Sequence, residues 1–322
     1  MSTLFCRNLQ RRFGKTVAVA GVDLDIAAGE MYGLIGPDGA GKTTLLRMLA
    51  GVLKPDAGTI RMAGVDVVRQ PERVRSLLGY MPQRFSLYAD LGVLENLLFY
   101  ADIFGVRGAE RRQRIERLLA FARLEDFRDR PAGQLSGGMK KKLALACALI
   151  HRPRVLLLDE PTNGVDPISR REFWDILADL HLEGVTILVT TPYMDEAERC
   201  QRVGLMHEGR ILRQDTPSAL QTWVPGRMLA VYAGDLAAIA AAVASFPGHL
   251  DHHTYGDRLH VFVAPDLTDP EAALAEHLRA CGLSFRQILS DTPRLEEAFI
   301  HLIAHREDES IRAGARLPSV EL

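Results

Sequence analysis

Short apolar runs alternate with helical patterns over the first two-thirds of the chain, and that alternation predicts an α/β sheet. Met31-Tyr32-Gly33-Leu34-Ile35 is one such run and reads as a buried strand. Val155-Leu156-Leu157-Leu158 is another, and Val185-Thr186-Ile187-Leu188-Val189-Thr190-Thr191 a third. Parallel strands covered on both faces show this continuous pattern rather than a strict alternation. Residues 44–49 read as a helix that directly follows the first strand. Between about residues 85 and 150 an arginine-rich helical insert is expected. Within it, residues 110–122 read as an exposed amphipathic helix, with Ile115, Leu118, Leu119 and Ala122 on its apolar face and its arginines in water.

The texture changes near Trp223-Val224-Pro225-Gly226. Strands are expected at 228–233, 250–254, 258–263 and 283–289, and helices at 236–245, 269–281 and 293–301. Tyr255-Gly256-Asp257 supplies a turn between the second and third of those strands. This β-α-β-β-α-β order predicts a small ferredoxin-like α+β domain over 223–304. The polar residues 305–322 read as a flexible tail.

A chain of 322 residues with 47% hydrophobic and 25% charged positions reads as a soluble globular protein of two domains. Its net charge of −2 gives no electrostatic reason to expect nucleic acid as a partner. Cys6, Cys147, Cys200 and Cys281 are far apart and read as buried thiols in a reducing compartment. The N-terminal residues lack the apolar core of a secretion signal. The uncharged stretch 236–247 is shorter than the roughly 20 residues that cross a bilayer. His249, His252, His253 and His260 fit no metal-ligand spacing, and they are expected at the surface together with His301 and His305.

The chemistry centres on Gly36-Pro37-Asp38-Gly39-Ala40-Gly41-Lys42-Thr43, a complete G-x-x-x-x-G-K-T phosphate loop between a strand and a helix. Its backbone N–H groups would wrap a triphosphate at the helix start, where Thr44 follows. Lys42 would reach the β- and γ-phosphates, and the Thr43 hydroxyl would hold Mg²⁺. Asp38 must turn its carboxylate away from that anion. The apolar strand at 155–158 ends in Asp159 and Glu160, suited to holding Mg²⁺ and to polarising water. Ser136-Gly137-Gly138 opens another helix with the character of an anion site. A chain that already has a phosphate loop can use such a helix start for a nucleotide held by a second subunit.

With these motifs the first 222 residues resemble the ATP-binding subunits of ABC transporters. The resemblance implies a P-loop NTPase domain over 1–222 with a helical insert at about 85–150, binding ATP and Mg²⁺. The phosphate loop is similar to Walker A, the strand ending at Asp159 to Walker B, and Leu135–Met139 to the signature segment, with Met139 in place of glutamine. It implies that Glu160 is the catalytic glutamate. It also implies that Gln83 of Tyr80-Met81-Pro82-Gln83 links Mg²⁺ to a membrane partner, that Phe13 stacks on adenine, and that 163–166 form the D-loop. The segment 82–88, the domain after 223 and Arg294-Leu295-Glu296-Glu297-Ala298-Phe299-Ile300 are similar to ABC-2 type exporters. That likeness implies a peripheral subunit at the cytoplasmic face of the inner membrane. Its partners would be ABC-2 permease subunits, a second ATP-binding module (identical or different) and a periplasmic adaptor. A non-hydrolysing ATP-binding regulator and a soluble ABC ATPase remain open alternatives.

One position departs from the family's pattern. After the strand ending at Thr191 the resemblance calls for a switch histidine, but the chain has Pro192 before Tyr193-Met194-Asp195-Glu196-Ala197. Proline offers neither a side-chain donor nor a backbone N–H. ATP binding is therefore expected to survive while hydrolysis at this site is slowed.

Overall fold

The computed structural model describes residues 2–84, 87–224 and 226–312; Phe85 and Ser86 of the 82–88 segment, Pro225 and the last ten residues lie outside it. Two compact units divide at residues 217 and 218.

The first unit opens with a hairpin, β1 (Ser2–Phe13) and β2 (Thr16–Ala27), then β3 (Met31–Ile35) and α1 (Lys42–Leu49). Next come β4 (Ala57–Met62), β5 (Val65–Asp66), α2 (Pro71–Arg75) and β6 (Leu78–Met81). The helical insert holds α3 (Val93–Ile103), α4 (Gly108–Ala122) and α5 (Gly137–Leu149). The chain continues with β7 (Val155–Asp159), α6 (Pro167–Leu182), β8 (Thr186–Thr191), α7 (Met194–Ala197), β9 (Arg202–His207) and β10 (Arg210–Asp215). A short α8 (Pro217–Gln221) spans the division.

Two sheets face each other across α1. An antiparallel sheet runs β2-β1-β4-β5, and a six-stranded one runs β10-β9-β3-β8-β7-β6. Leu45, Leu46, Met48 and Leu49 of α1 join Leu4, Leu9 and Leu24 of the first sheet and Leu34, Leu157 and Leu188 of the second in one core. Every residue of β3, β7 and β8 is buried, as their unbroken apolar runs require. The helix read at 110–122 is α4, and it buries the four residues assigned to its apolar face, Ile115, Leu118, Leu119 and Ala122.

The strand order matters most for the site. β8 lies between β3 and β7, and β6 flanks β7, all parallel. Ile35 is paired with Thr191, and Asp159 with Thr190. The segments leaving β3, β8, β7 and β6 therefore emerge side by side. The carboxyl ends of parallel strands are where α/β folds bind ligands.

The second unit contains β11 (Arg227–Tyr232), α9 (Leu236–Val243), β12 (His249–Tyr255), β13 (Arg258–Val263), α10 (Pro270–Ala280), β14 (Gln287–Asp291) and α11 (Leu295–Arg312). Its antiparallel sheet runs β12-β13-β11-β14. Leu229, Val231, Val261, Ile239 and Leu274 form its core on the α9 and α10 side. Four local expectations change here. β14 starts four residues later than read, because Gly282, in the left-handed region, and Leu283 close the end of α10 through hydrogen bonds to Arg279 and Leu278. α11 continues to Arg312, so residues 305–312 are helical rather than tail. His260, expected at the surface, is buried, its Nδ1 3.0 Å from Glu297 Oε1. Apolar β13 lies inside the sheet and carries that histidine with it. Among the cysteines, Cys281 at the end of α10 is exposed, against the expectation that all four are buried.

Candidate nucleotide-binding site

Glycine is obligatory at two points of the loop between β3 and α1. A Cβ on Gly36 would stand 2.1 Å from the carbonyl oxygen of Met206. Gly41 has φ of 103°, and a Cβ there would stand 2.2 Å from the carbonyl oxygen of Ala18 on β2. Backbone bonds anchor the loop's far side, with Gly209 N donating to Ala40 O at 2.9 Å and Ala20 N to Gly209 O at 2.8 Å. Pro37, Asp38 and Gly39 form the exposed crest, so the Asp38 carboxylate faces solvent; Ala40 is buried. No side chain caps α1, which leaves the N–H groups of its first turn, Thr43 and Thr44 included, for an anion.

Lys42 is folded back over this loop. Its Nζ donates to Gly36 O at 2.8 Å and Pro37 O at 3.1 Å, and lies 3.3 Å from Glu160 Oε1. Both side chains are only 4% exposed. A lysine and a carboxylate buried this deeply are held by their mutual pairing.

The end of β7 supplies two carboxylates with different surroundings. Asp159 Oδ1 accepts from Thr43 Oγ1 at 2.9 Å and from Thr190 Oγ1 at 3.1 Å, whereas its buried Oδ2 has no partner. Burial pushes the Asp159 carboxyl above its ordinary range, and the Thr43 and Thr190 bonds offset part of that rise. Glu160 has φ of 47°, a conformation unusual for a residue with a Cβ, and its N–H is fixed by Thr190. Its Oε2 accepts from Gln83 Nε2 at 2.7 Å and Asn163 Nδ2 at 3.1 Å. Gln83, leaving β6, thereby touches Glu160 directly. Lys141 of α5 donates to Gln83 O at 2.9 Å, with burial lowering the lysine's pKa.

Eight of the residues singled out by sequence thus meet: Gly36, Pro37, Lys42, Thr43, Gln83, Asp159, Glu160 and Asn163. Ser136, Gly137 and Gly138 do not join them. Ser136 Oγ accepts from Met139 N at 3.2 Å and caps α5, while Ser136 and Gly137 stay exposed. Gly138 is required for packing, since a Cβ there would stand 2.4 Å from Ser169 Cβ on α6. Phe13 ends β1 with its ring 48% exposed and Arg11 stacked on it at 4.9 Å. Thr190, which holds both carboxylate residues, was missed by sequence reading. The only available signal was the polar pair Thr190-Thr191 closing a strand that is otherwise apolar.

The model described as ABC transporter matches residues 19–163. The probable multidrug ABC transporter ATP-binding protein YbhF of Escherichia coli (strain K12) is 45% identical over 307 residues, which cover 94% of this chain and 52% of that protein. The chain therefore spans about half the length of that relative. The Nod factor export ATP-binding protein I of Burkholderia lata is 40% identical over 298 residues, 92% of this chain and 95% of the relative. A solved cassette, MJ0796 in a dimeric post-hydrolysis state bound to ADP and Pi, is 29% identical at a TM-score of 0.60, covering 66% of this chain and 98% of its own. Taken with the loop and the carboxylates it faces, these likenesses show that the chain belongs to the ABC transporter ATP-binding proteins.

Proposed function

We propose that this chain is the ATP-binding subunit of an ABC-2 type efflux system, coupling ATP binding and hydrolysis to export. The observation that carries the reading is the buried trio of Lys42, Glu160 and Asp159 beside an uncapped phosphate loop, with the exposed Gln83 bonded to Glu160. ATP would take over the Lys42 ammonium and the helix N–H groups, releasing Glu160 to act on water. Phe13 would stack on the adenine. The donor set suits Mg²⁺, a hard cation that prefers oxygen. Thr43, Gln83 and Asp159 would hold it, and the unpartnered Asp159 Oδ2 is a free acceptor there.

Ser136, Gly137 and Gly138 serve in this reading the nucleotide of a second ATP-binding module. The export direction rests on the multidrug and Nod factor export relatives. Among the described residues no helix is long and apolar enough to cross a membrane. Tyr88, Phe99 and Ile103 are exposed beyond Gln83, the two rings 4.7 Å apart edge to face, and offer an apolar seat for such a subunit.

Pro192 makes this the slower half of an unequal pair. The two threonine hydroxyls just before it do not replace the missing donor, because Thr190 is engaged by Asp159 and Thr191 by Glu196. Losing one aimed donor typically costs about 10²–10³ in rate. The purified chain is expected to bind ATP and hydrolyse it slowly, and Pro192→His to accelerate phosphate release. Ordinary transporter rates from the wild-type chain would remove the asymmetry, and failure to bind ATP would remove the reading itself. ATP binding with no hydrolysis by either protein would favour the regulatory alternative.

A further inference from the structure

Glu196 of α7 is 1% exposed and belongs to no part of the nucleotide site described above. Its two oxygens nevertheless collect contacts from three separate segments. Thr191 Oγ1, at the end of β8, donates to Oε2 at 2.6 Å. Thr162 Oγ1, two residues past Glu160, donates to Oε1 at 2.7 Å. Arg170 of α6 brings its Nε to 3.4 Å from Oε1, and its guanidinium lies 4.0 Å over the ring of Tyr193. Both threonines are buried.

Each arm leads back to the carboxylates at the end of β7. Thr162 precedes Asn163, whose amide holds Glu160 Oε2, and Thr162 O accepts from Val165 N at 3.1 Å. Thr191 follows Thr190, whose hydroxyl bonds Asp159 Oδ1 and accepts the Glu160 N–H. Thr191 Oγ1 also accepts from Tyr193 N at 3.1 Å, fixing the turn through Pro192. A buried carboxylate with short, charge-assisted bonds is stiff, and it cannot release one arm without leaving polar groups unmade.

We propose that Glu196 is a positioning residue of the ATPase site, clamping the loop of Glu160 and Asn163 to the strand end of Thr190 and Pro192. This inference rests on the ATPase reading for its consequence but not for its geometry. Glu160 sits at a left-handed φ, so it depends on neighbours to hold it there. The clamp supplies that restraint from outside the site.

The test uses the full chain with Glu196→Gln, which keeps the shape and loses the charge. Hydrogen exchange without nucleotide is expected to accelerate roughly tenfold or more in peptides covering 159–166 and 190–196, with peptides covering 31–49 unchanged. In single-turnover hydrolysis at saturating ATP, kcat is expected to fall about tenfold while ATP affinity holds, and the substitution is expected to add nothing in a Glu160→Gln background. Should Glu196→Gln fail to fold, Thr162→Val removes one arm only and is expected to loosen 159–166 alone. Wild-type exchange at both segments, or an effect on ATP affinity with kcat intact, would overturn the proposal. No hydrolysis by the wild-type chain would count against the ATPase reading alone, and the exchange result would then decide the clamp by itself.

Discussion

Two helix starts of this chain carry the glycines of the nucleotide motifs, and their surroundings are opposite. Gly36–Thr43 before α1 is walled in by Met206, Ala18 and Gly209, and faces a buried lysine and two carboxylates. Ser136–Gly138 before α5 is open at Ser136 and Gly137, and its serine is occupied with capping its own helix. Both starts present helix N–H groups to an anion. Only the first has the charges that would make phosphate binding and cleavage a chemical step. In the proposed reading the second would meet the nucleotide of a neighbouring module.

That difference predicts unequal damage from unequal mutations. Lys42→Ala removes the phosphate-facing charge and strands the buried Glu160 carboxylate, so ATP affinity is expected to fall roughly 10- to 100-fold, the weight of a charged hydrogen bond. Ser136→Ala is expected to leave ATP affinity of the isolated chain unchanged. Calorimetry on the two variants checks both; equal losses would erase the contrast between the two helix starts.

A smaller effect sharpens it from the stability side. Burial raises the Asp159 carboxyl above its unfolded value, so folding without nucleotide disfavours its ionised form relative to the unfolded chain. A folded pKa raised above the unfolded value gives stability at low pH that is lost as pH rises through the raised value. Ionising Asp159 in the empty site is thus a burden. Asp159→Asn keeps an acceptor for Thr43 and Thr190 and gives the unpartnered oxygen's place to an amide. It is expected to raise the thermal midpoint without nucleotide, with the gain shrinking as pH is lowered toward the raised pKa. It is also expected to weaken Mg²⁺-dependent nucleotide binding. A lower midpoint at neutral pH would contradict the desolvation account.

The sequence disclosed the nucleotide loop because that loop obeys local rules. Gly36 and Gly41 answer to backbone contacts that no other residue permits, and β3, β7 and β8 are apolar without interruption because both faces are covered. The amphipathic period of α4 was legible for the same reason. What escaped was relational. Lys42 pairing with Glu160 and Glu196 joining Thr162 to Thr191 depend on β8 lying between β3 and β7, and Gln83 reaching Glu160 depends on β6 lying beside β7. Strand order is not written in any single run. The burial of His260 and the late start of β14 escaped likewise, the first set by β13 lying inside its sheet and the second by how α10 ends.

The central claim is that each helix start is half of a site completed by a second module. Light scattering on Glu160→Gln with ATP and Mg²⁺ measures it most directly, since that variant holds ATP without polarising water. The account predicts a species of twice the 35.6 kDa chain mass that forms only with ATP and dissolves when Ser136→Glu is added. A larger species that persists with Ser136→Glu, or saturating ATP with no change in mass, would contradict it.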